Sequence, residues 1–371
     1  MARVAVVLGT RPEIIKLSGV IEGLGPDAVV LHTGQHYDDR MAQVFLDQAG
    51  TTRPDVRIDI GSLTRGEQIG RGTTLLSAHL AEIEPDAVIV QGDTNSALAG
   101  ALAANAGGYP LVHVEAGLRS YDRTMPEEHN RVLIDHISNL LAAPTEVAVD
   151  NLAREGITGD MVLCTGNTVV ESVRDQLPSD SDRQALLASY GLSPHGYILA
   201  TIHRPENTDD PNVLAAIIDQ LASLPLPVVA PLHPRTLAAA MRAGLLPQLA
   251  RLRILDPLSS RPFLALATEA AVLVSDSGGV QEEVTVLGVP LVVVRRSTER
   301  PESLVDFATL VAPGAIGRAV TSYLDAGEAL RRRLAATPCP FGDGSASRSI
   351  VAEVRARYCR EPLYARRVCA G

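Results

Sequence analysis

Lysine is all but missing from this chain. Of its 33 basic residues only Lys16 is a lysine, and the rest are arginines. Where Arg serves at every other basic position, a retained Lys marks a place that wants a compact ammonium rather than a planar guanidinium; chance survival on a solvated helix face is the alternative. Trp is absent and aromatics make up 3% of the residues, so Val, Leu, Ile and Ala must fill the cores. The four cysteines, Cys164, Cys339, Cys359 and Cys369, show no metal-ligand spacing, and reduced thiols in a cytoplasm are expected. No apolar run approaches the length of a membrane span, and no leader-like segment precedes the first apolar run after Met1–Arg3. Neither the G-x-G-x-x-G nor the G-x-x-x-x-G-K-[ST] loop occurs, which argues against NAD and ATP. A net charge of −10 argues against a polyanion such as nucleic acid as partner, although a few converging arginines suffice for a small anionic ligand.

What the chain does contain is a repeated strand–turn–helix pattern over 371 residues, enough for two domains with separate cores. Short apolar runs at Arg3–Leu8, Ala28–Thr33, Asp86–Val90 and Leu111–Val114 alternate with helical stretches, one of them expected from about Glu127 to Leu141. The pattern restarts beyond Cys164-Thr165-Gly166-Asn167, with strands expected at Tyr197–Thr201, Val228–Leu232, Arg253–Leu255, Val272–Ser275 and Leu291–Val294. Continuous apolar strands alternating with helices predict parallel sheets covered on both faces. The division expected is an N-terminal domain at 1–166, a second at 167–345, and a final helical stretch within 346–371 packing back across the junction.

In open α/β sheets ligands bind beyond the carboxyl ends of the strands. Arg11, Gln35-His36, Asp93 and Glu115 follow strands in the first half; His203-Arg204, His233 and Asp276-Ser277-Gly278-Gly279 do so in the second. If the two edges face each other, the cleft between them is the site. Ser277-Gly278-Gly279 at a helix start forms an anion site from backbone N–H groups and the helix dipole, and Glu283, one turn on, suits ribose hydroxyls; an ordinary Gly-rich turn is the bland alternative. Arg300 either pairs with a diphosphate or fixes its own loop. Asp93, Glu115, Glu127 and Glu128 are clustered carboxylates able to divide acid and base roles, with Glu128 better read as a salt-bridge partner of a nearby Arg.

Taken in order, several of these segments resemble the UDP-N-acetylglucosamine 2-epimerase family: Gly9-Thr10-Arg11-Pro12-Glu13 with Lys16, Gly34-Gln35-His36, Gln91-Gly92-Asp93-Thr94, and His113–Arg119. Pro126-Glu127-Glu128 with Asn130-Arg131, His203-Arg204 with Glu206-Asn207, Ser275–Glu283, Thr298–Glu302 and Gly342-Asp343-Gly344 continue the series over nearly the whole chain. The resemblance implies a GT-B-like α/β fold: two Rossmann-like doubly wound parallel-sheet domains with the active site in the cleft between them. It implies no redox cofactor, no metal, a UDP-sugar as substrate and a homodimer. A base takes the C2 proton as UDP leaves C1, and UDP re-adds to the glycal while a proton reaches C2 from the other face. By resemblance, Asp93, Glu115, Glu127 and His203 serve proton transfer and intermediate stabilisation, Lys16 orders the acidic cluster, and Arg11, His233, Ser277, Gly278, Gly279, Glu283 and Arg300 hold UDP. Some members also require UDP-N-acetylglucosamine as an allosteric activator, for which Gln35, His36, Arg65 and Gln68 are the matching residues.

Two departures from the family pattern stand out, the first of them bearing on substrate. Ser303–Ala308 replaces a small, Gly-containing stretch, and Ser345 stands where the family commonly has Lys. A GT-B glycosyltransferase, a hydrolysing epimerase and a catalytically silent sugar-nucleotide sensor are the rival readings. The dense Asp/Glu/His set disfavours the transferase. The Arg119-to-Arg131 loop with an unbroken Gln91–Thr94 run favours the non-hydrolysing branch, and the presence of every reactive group disfavours the sensor.

Overall fold

The computed structural model describes residues 2–34, 54–61 and 63–359. They form two compact units, one comprising Met1–Ser172 with the returning tail from Phe341, the other Val173–Pro340.

The first unit is a seven-stranded sheet of β1 (Val4–Leu8), β2 (Ala28–His32), β3 (Val56–Arg57), β4 (Ala87–Gln91), β5 (Leu111–Val114), β6 (Leu140–Ala143) and β7 (Val162–Cys164). Its spatial order is β3-β2-β1-β4-β5-β6-β7, and every pair is parallel. Strand alternation explains the two-sided burial: Val4, Val6 and Leu8 face the core made with helices Arg11–Leu24 and Ala346–Tyr358, while Ala5 and Val7 face the core made with helices Arg65–Ile83 and Asn95–Gly107. The tail helix thus completes one face of this sheet through Ile350, Val351 and Val354.

The second unit repeats the scheme with β8 (Ile198–Thr201), β9 (Val228–Pro231), β10 (Arg253–Leu255), β11 (Val272–Ser275), β12 (Leu291–Val294) and β13 (Ala308–Val311), in the order β10-β9-β8-β11-β12-β13, again all parallel. Ile198 and Ala200 turn to one core and Leu199 to the other. Both units are Rossmann-like, as a GT-B-like architecture requires, and each order reverses at its first strand, β1 or β8.

One expectation needs correction. The helix expected to reach Leu141 runs Pro126–Ile137 and stops, because Asn139 is captured by β5: its N–H donates to the Leu111 carbonyl and its Oδ1 accepts from the Leu111 N–H, so Leu140–Ala143 becomes β6. In the departing stretch Ser303–Ala308, Ser303–Asp306 forms a helical turn that feeds β13. Among the described residues no helix is long and apolar enough to cross a membrane.

Candidate active site

In the first unit the chemistry gathers where β1, β4 and β5 end. Helix Arg11–Leu24 starts directly after β1, and its first turns carry Arg11, Glu13 and Lys16. Lys16 Nζ lies 2.8 Å from both carboxylate oxygens of Glu115, and both residues are buried. The Gln91 amide also donates to Glu115 Oε2. Glu115 holds φ 70°, a left-handed backbone rare for a residue with a Cβ, so the turn after β5 aims its carboxylate at a cost in strain. The single lysine is therefore the counter-charge of a buried carboxylate at a sheet edge, not a solvated surface group.

Asp93 follows β4 through Gly92, whose φ of 68° the turn requires. The Asp93 carboxylate accepts from Arg131 Nε at 3.1 Å and from Arg131 Nη2, while Arg131 Nη1 donates to Glu128 at 2.8 Å. Glu128 also accepts from the Ser120 N–H and hydroxyl and the Tyr121 N–H, so it is the salt-bridge residue expected, fixing the Arg119–Arg131 loop. Glu127, in the first turn of helix Pro126–Ile137, is exposed. Asn130 donates to the Asp93 carbonyl at 2.8 Å and accepts from Arg65 at 2.6 Å; Gln68 accepts from Asn95 at 2.8 Å. Arg65 and Gln68 are thus tied to the Asp93 turn and its following helix. Gln35 and His36 lie outside the described residues.

Behind these groups runs a buried polar relay. His113 has Nε2 2.8 Å from the Gly92 carbonyl and Nδ1 2.6 Å from Asp135, which also pairs with Arg119 at 2.7 Å. Burial opposes charge on Asp135, but His113 and Arg119 outweigh it and hold its carboxyl below the usual range. For Arg119 the opposing burial is overcome by Glu155 and Asp135, which keep the guanidinium charged.

Glu13 is the group that sequence reasoning passed over. It is quoted in a motif, yet it reads as an ordinary acidic residue in a helix first turn. Its Oε2 accepts from the Gly9 N–H (3.0 Å), the Thr10 N–H and the Thr10 hydroxyl (2.7 Å each), and its Oε1 accepts from the Thr94 hydroxyl at 2.7 Å. It is 1% exposed, and burial pushes its carboxyl up to about 7 against the pull of those donors. The only advance signal was Thr10-x-x-Glu13, a capping-box spacing.

In the second unit the edge after β8, β11 and β12 is organised by Asp276, fully buried, which accepts from the N–H groups of His203 (3.1 Å) and Arg204 (2.9 Å) and from the Asn207 amide (3.0 Å). Its burial favours the neutral form, yet His203 and the other donors hold its carboxyl below the usual range. His203 Nδ1 lies 3.1 Å from Asp276, and the ring is about half exposed. Ser277 stands at the N-cap position of helix Gly278–Leu287 without a side-chain capping bond, and Gly278 and Gly279 open it, so the expected helix N-terminus is present. Arg300 donates to Glu282 at 2.6 Å and pairs with Glu299, contacts that hold its guanidinium beside Gly278 at the start of this helix. A Cβ at Gly278 would lie 2.8 Å from Arg300 Nη1, which accounts for glycine there. Arg295 pairs with Glu299 at 2.9 Å; burial, only partly offset by Glu299, holds its guanidinium below the usual value. Glu283 and, in the first unit, Arg11 are half-buried; His233 is an exposed N-cap whose Nδ1 accepts from the Arg235 N–H.

A family model described as UDP-N-acetylglucosamine 2-epimerase matches residues 25–355. The chain is 38% identical over 361 residues to the UDP-N-acetylglucosamine 2-epimerase of Methanococcus maripaludis, covering 95% of this chain and 98% of that one. It is also 38% identical over 307 residues to the UDP-2,3-diacetamido-2,3-dideoxy-D-glucuronate 2-epimerase of Pseudomonas aeruginosa, covering 80% and 84%. Among solved structures it matches the Methanocaldococcus jannaschii UDP-GlcNAc 2-epimerase in complex with UDP-GlcNAc and UDP, at a TM-score of 0.84 and 36% identity, covering 95% of this chain and 99% of that one.

Proposed function

This chain belongs to the UDP-N-acetylglucosamine 2-epimerase family, and on that premise we propose that it interconverts UDP-N-acetylglucosamine and UDP-N-acetylmannosamine without hydrolysis. The observation that carries the reading is the edge of the first sheet, where Glu115 with Lys16 and Asp93 with Arg131 supply two carboxylates, each paired to a cation.

A C2 proton beside an acetamido group is weakly acidic, so its removal needs UDP to leave C1 at the same time. The C2–H electron pair becomes the C1–C2 double bond as the C1–O bond breaks, giving 2-acetamidoglucal and UDP. Asp93, Glu115, Glu127 and His203 are proposed for proton transfer and intermediate stabilisation, with two of them serving the opposite faces of C2. The helix N-terminus at Ser277, Gly278 and Gly279, with Arg11, His233 and Arg300, is proposed to take the developing charge of the diphosphate, and Glu283 the ribose hydroxyls. Reversal with the proton delivered to the opposite face completes the inversion, so no redox partner is consumed. Membership in the family also supports a homodimer working in the cytoplasm.

A related UDP-2-acetamido sugar is the second reading. It is favoured by the Pseudomonas aeruginosa relative's substrate and by the Ser303–Asp306 turn in place of a Gly-containing stretch. Proton NMR of the enzyme with UDP-N-acetylglucosamine in D₂O decides. Deuterium at C2 with a UDP-N-acetylmannosamine anomeric signal supports the proposal. Free N-acetylmannosamine plus UDP assigns hydrolysis, and no exchange directs attention to the second substrate.

A further inference from the structure

We propose that Glu13 is a positioning residue of this reaction: one carboxylate oxygen gathers the Gly9–Thr10 turn that launches Arg11, and the other holds Thr94, the neighbour of Asp93. The inference rests on the reading that Asp93 and Arg11 act on the UDP-sugar. Two loops that follow different strands, β1 and β4, are thereby set by one side chain.

The donor set is that of an ionised carboxylate. All four contacts come from N–H or O–H groups that donate to Glu13. Thr94 is doubly committed: its hydroxyl donates to Glu13 and its oxygen accepts the Ala97 N–H at 3.0 Å, capping helix Asn95–Gly107. A proton arriving on Glu13 Oε1 reverses this bond. Glu13 then donates, the Thr94 oxygen accepts twice, and the Thr94 hydrogen must find another acceptor beside Asp93. The protonation state of Glu13 is therefore felt as a change in hydrogen-bond direction at the Asp93 turn.

Burial brings this event into the physiological range, with the carboxyl titrating at about 7. The charged groups on the elements packed around Glu13 are Arg11 and Lys16 of its own helix, Asp93 beyond Thr94, Glu115 after β5, and Arg131 of helix Pro126–Ile137. Lys16 is engaged by Glu115, and Arg131 by Asp93 and Glu128.

Glu13→Gln keeps the shape and fixes the neutral form. At pH 8 it is expected to lower kcat about tenfold with KM changed less than about twofold, because geometry rather than binding is lost. The acidic limb of the wild-type kcat profile, with its midpoint near 7, is expected to vanish in the variant. Thr94→Val is expected to reproduce the fall in kcat and Thr94→Ser to restore it. Carboxyl-labelled glutamate NMR gives a readout independent of substrate: one resonance, absent in Glu13→Gln, titrates near 7, and the Thr94 amide moves with the same midpoint. Wild-type kcat and an unchanged acidic limb in Glu13→Gln, or a Thr94 amide indifferent to that titration, overturn the proposal. A wild-type protein inactive on UDP-N-acetylglucosamine sinks the substrate reading instead, while the NMR coupling still decides the positioning role.

Discussion

Lys16 and Glu115 are buried together, and the site around them has room for one ammonium with two equal contacts at 2.8 Å. Lys16→Arg keeps the charge but inserts a wider, planar group into a packed interior. It is expected to lose about 1–3 kcal/mol of stability and at least about tenfold in kcat, read by denaturant titration and the epimerase assay. Glu13 gives a second expectation at this scale. Its folded carboxyl titrates at about 7 against 4.5 for the ordinary group, so the folded chain binds the proton more tightly than the unfolded one. That contribution is complete below about pH 4.5 and is lost as pH rises through 7, costing about 3 kcal/mol above it. The wild-type-minus-Glu13→Gln stability difference should fall across that window in urea titrations. Lys16 was legible because its scarcity set it apart. Glu13 was not, since its surroundings come from residue 94, far along the chain.

Helix Gly278–Leu287 shows how much an element's start depends on what lies over it. Gly278 leaves the space that the Arg300 guanidinium occupies, and Arg300 is locked by Glu282 of the same helix. Gly278→Ala should push Arg300 off this position and raise the UDP dissociation constant about tenfold while secondary structure by circular dichroism stays intact; unchanged affinity would detach this helix from the nucleotide. The strand–turn–helix rhythm made nine of the thirteen strands among the described residues readable where runs of Val, Leu and Ile stood out, as at β11 and β12. Four strands escaped, β3, β6, β7 and β13; of these, β6 and β13 are Ala- and Thr-bearing segments joined to helical stretches by two residues or fewer. Periodicity alone does not separate such strands from a helix end; the Asn139–Leu111 exchange does, and it is a long-range contact.

Across the whole molecule the six-stranded sheet repeats the order of the first six strands of the other; two similar α/β units were visible in the sequence, while the strand order was not. A returning tail helix was expected from the sequence, but which core it completes was not, because that depends on Ile350, Val351 and Val354 meeting the helix Arg11–Leu24 and β1 more than 300 residues earlier. Ile350→Ala should weaken the first unit by about 2–5 kcal/mol and leave the second near its wild-type stability. Hydrogen exchange resolved by unit measures this: faster exchange confined to Met1–Ser172 and the tail is the expected pattern, and uniform loss would mean that the units unfold as one.

The tail also sets an order of events during synthesis. Chains usually fold from the amino terminus as they leave the ribosome. Here the segment Val173–Pro340 is contiguous and emerges complete, whereas the earlier sheet still lacks the helix that seals one of its faces. The part translated second is thus the first able to finish, and the apolar surface of β1 and its helix waits uncovered until Ala346–Tyr358 has been added.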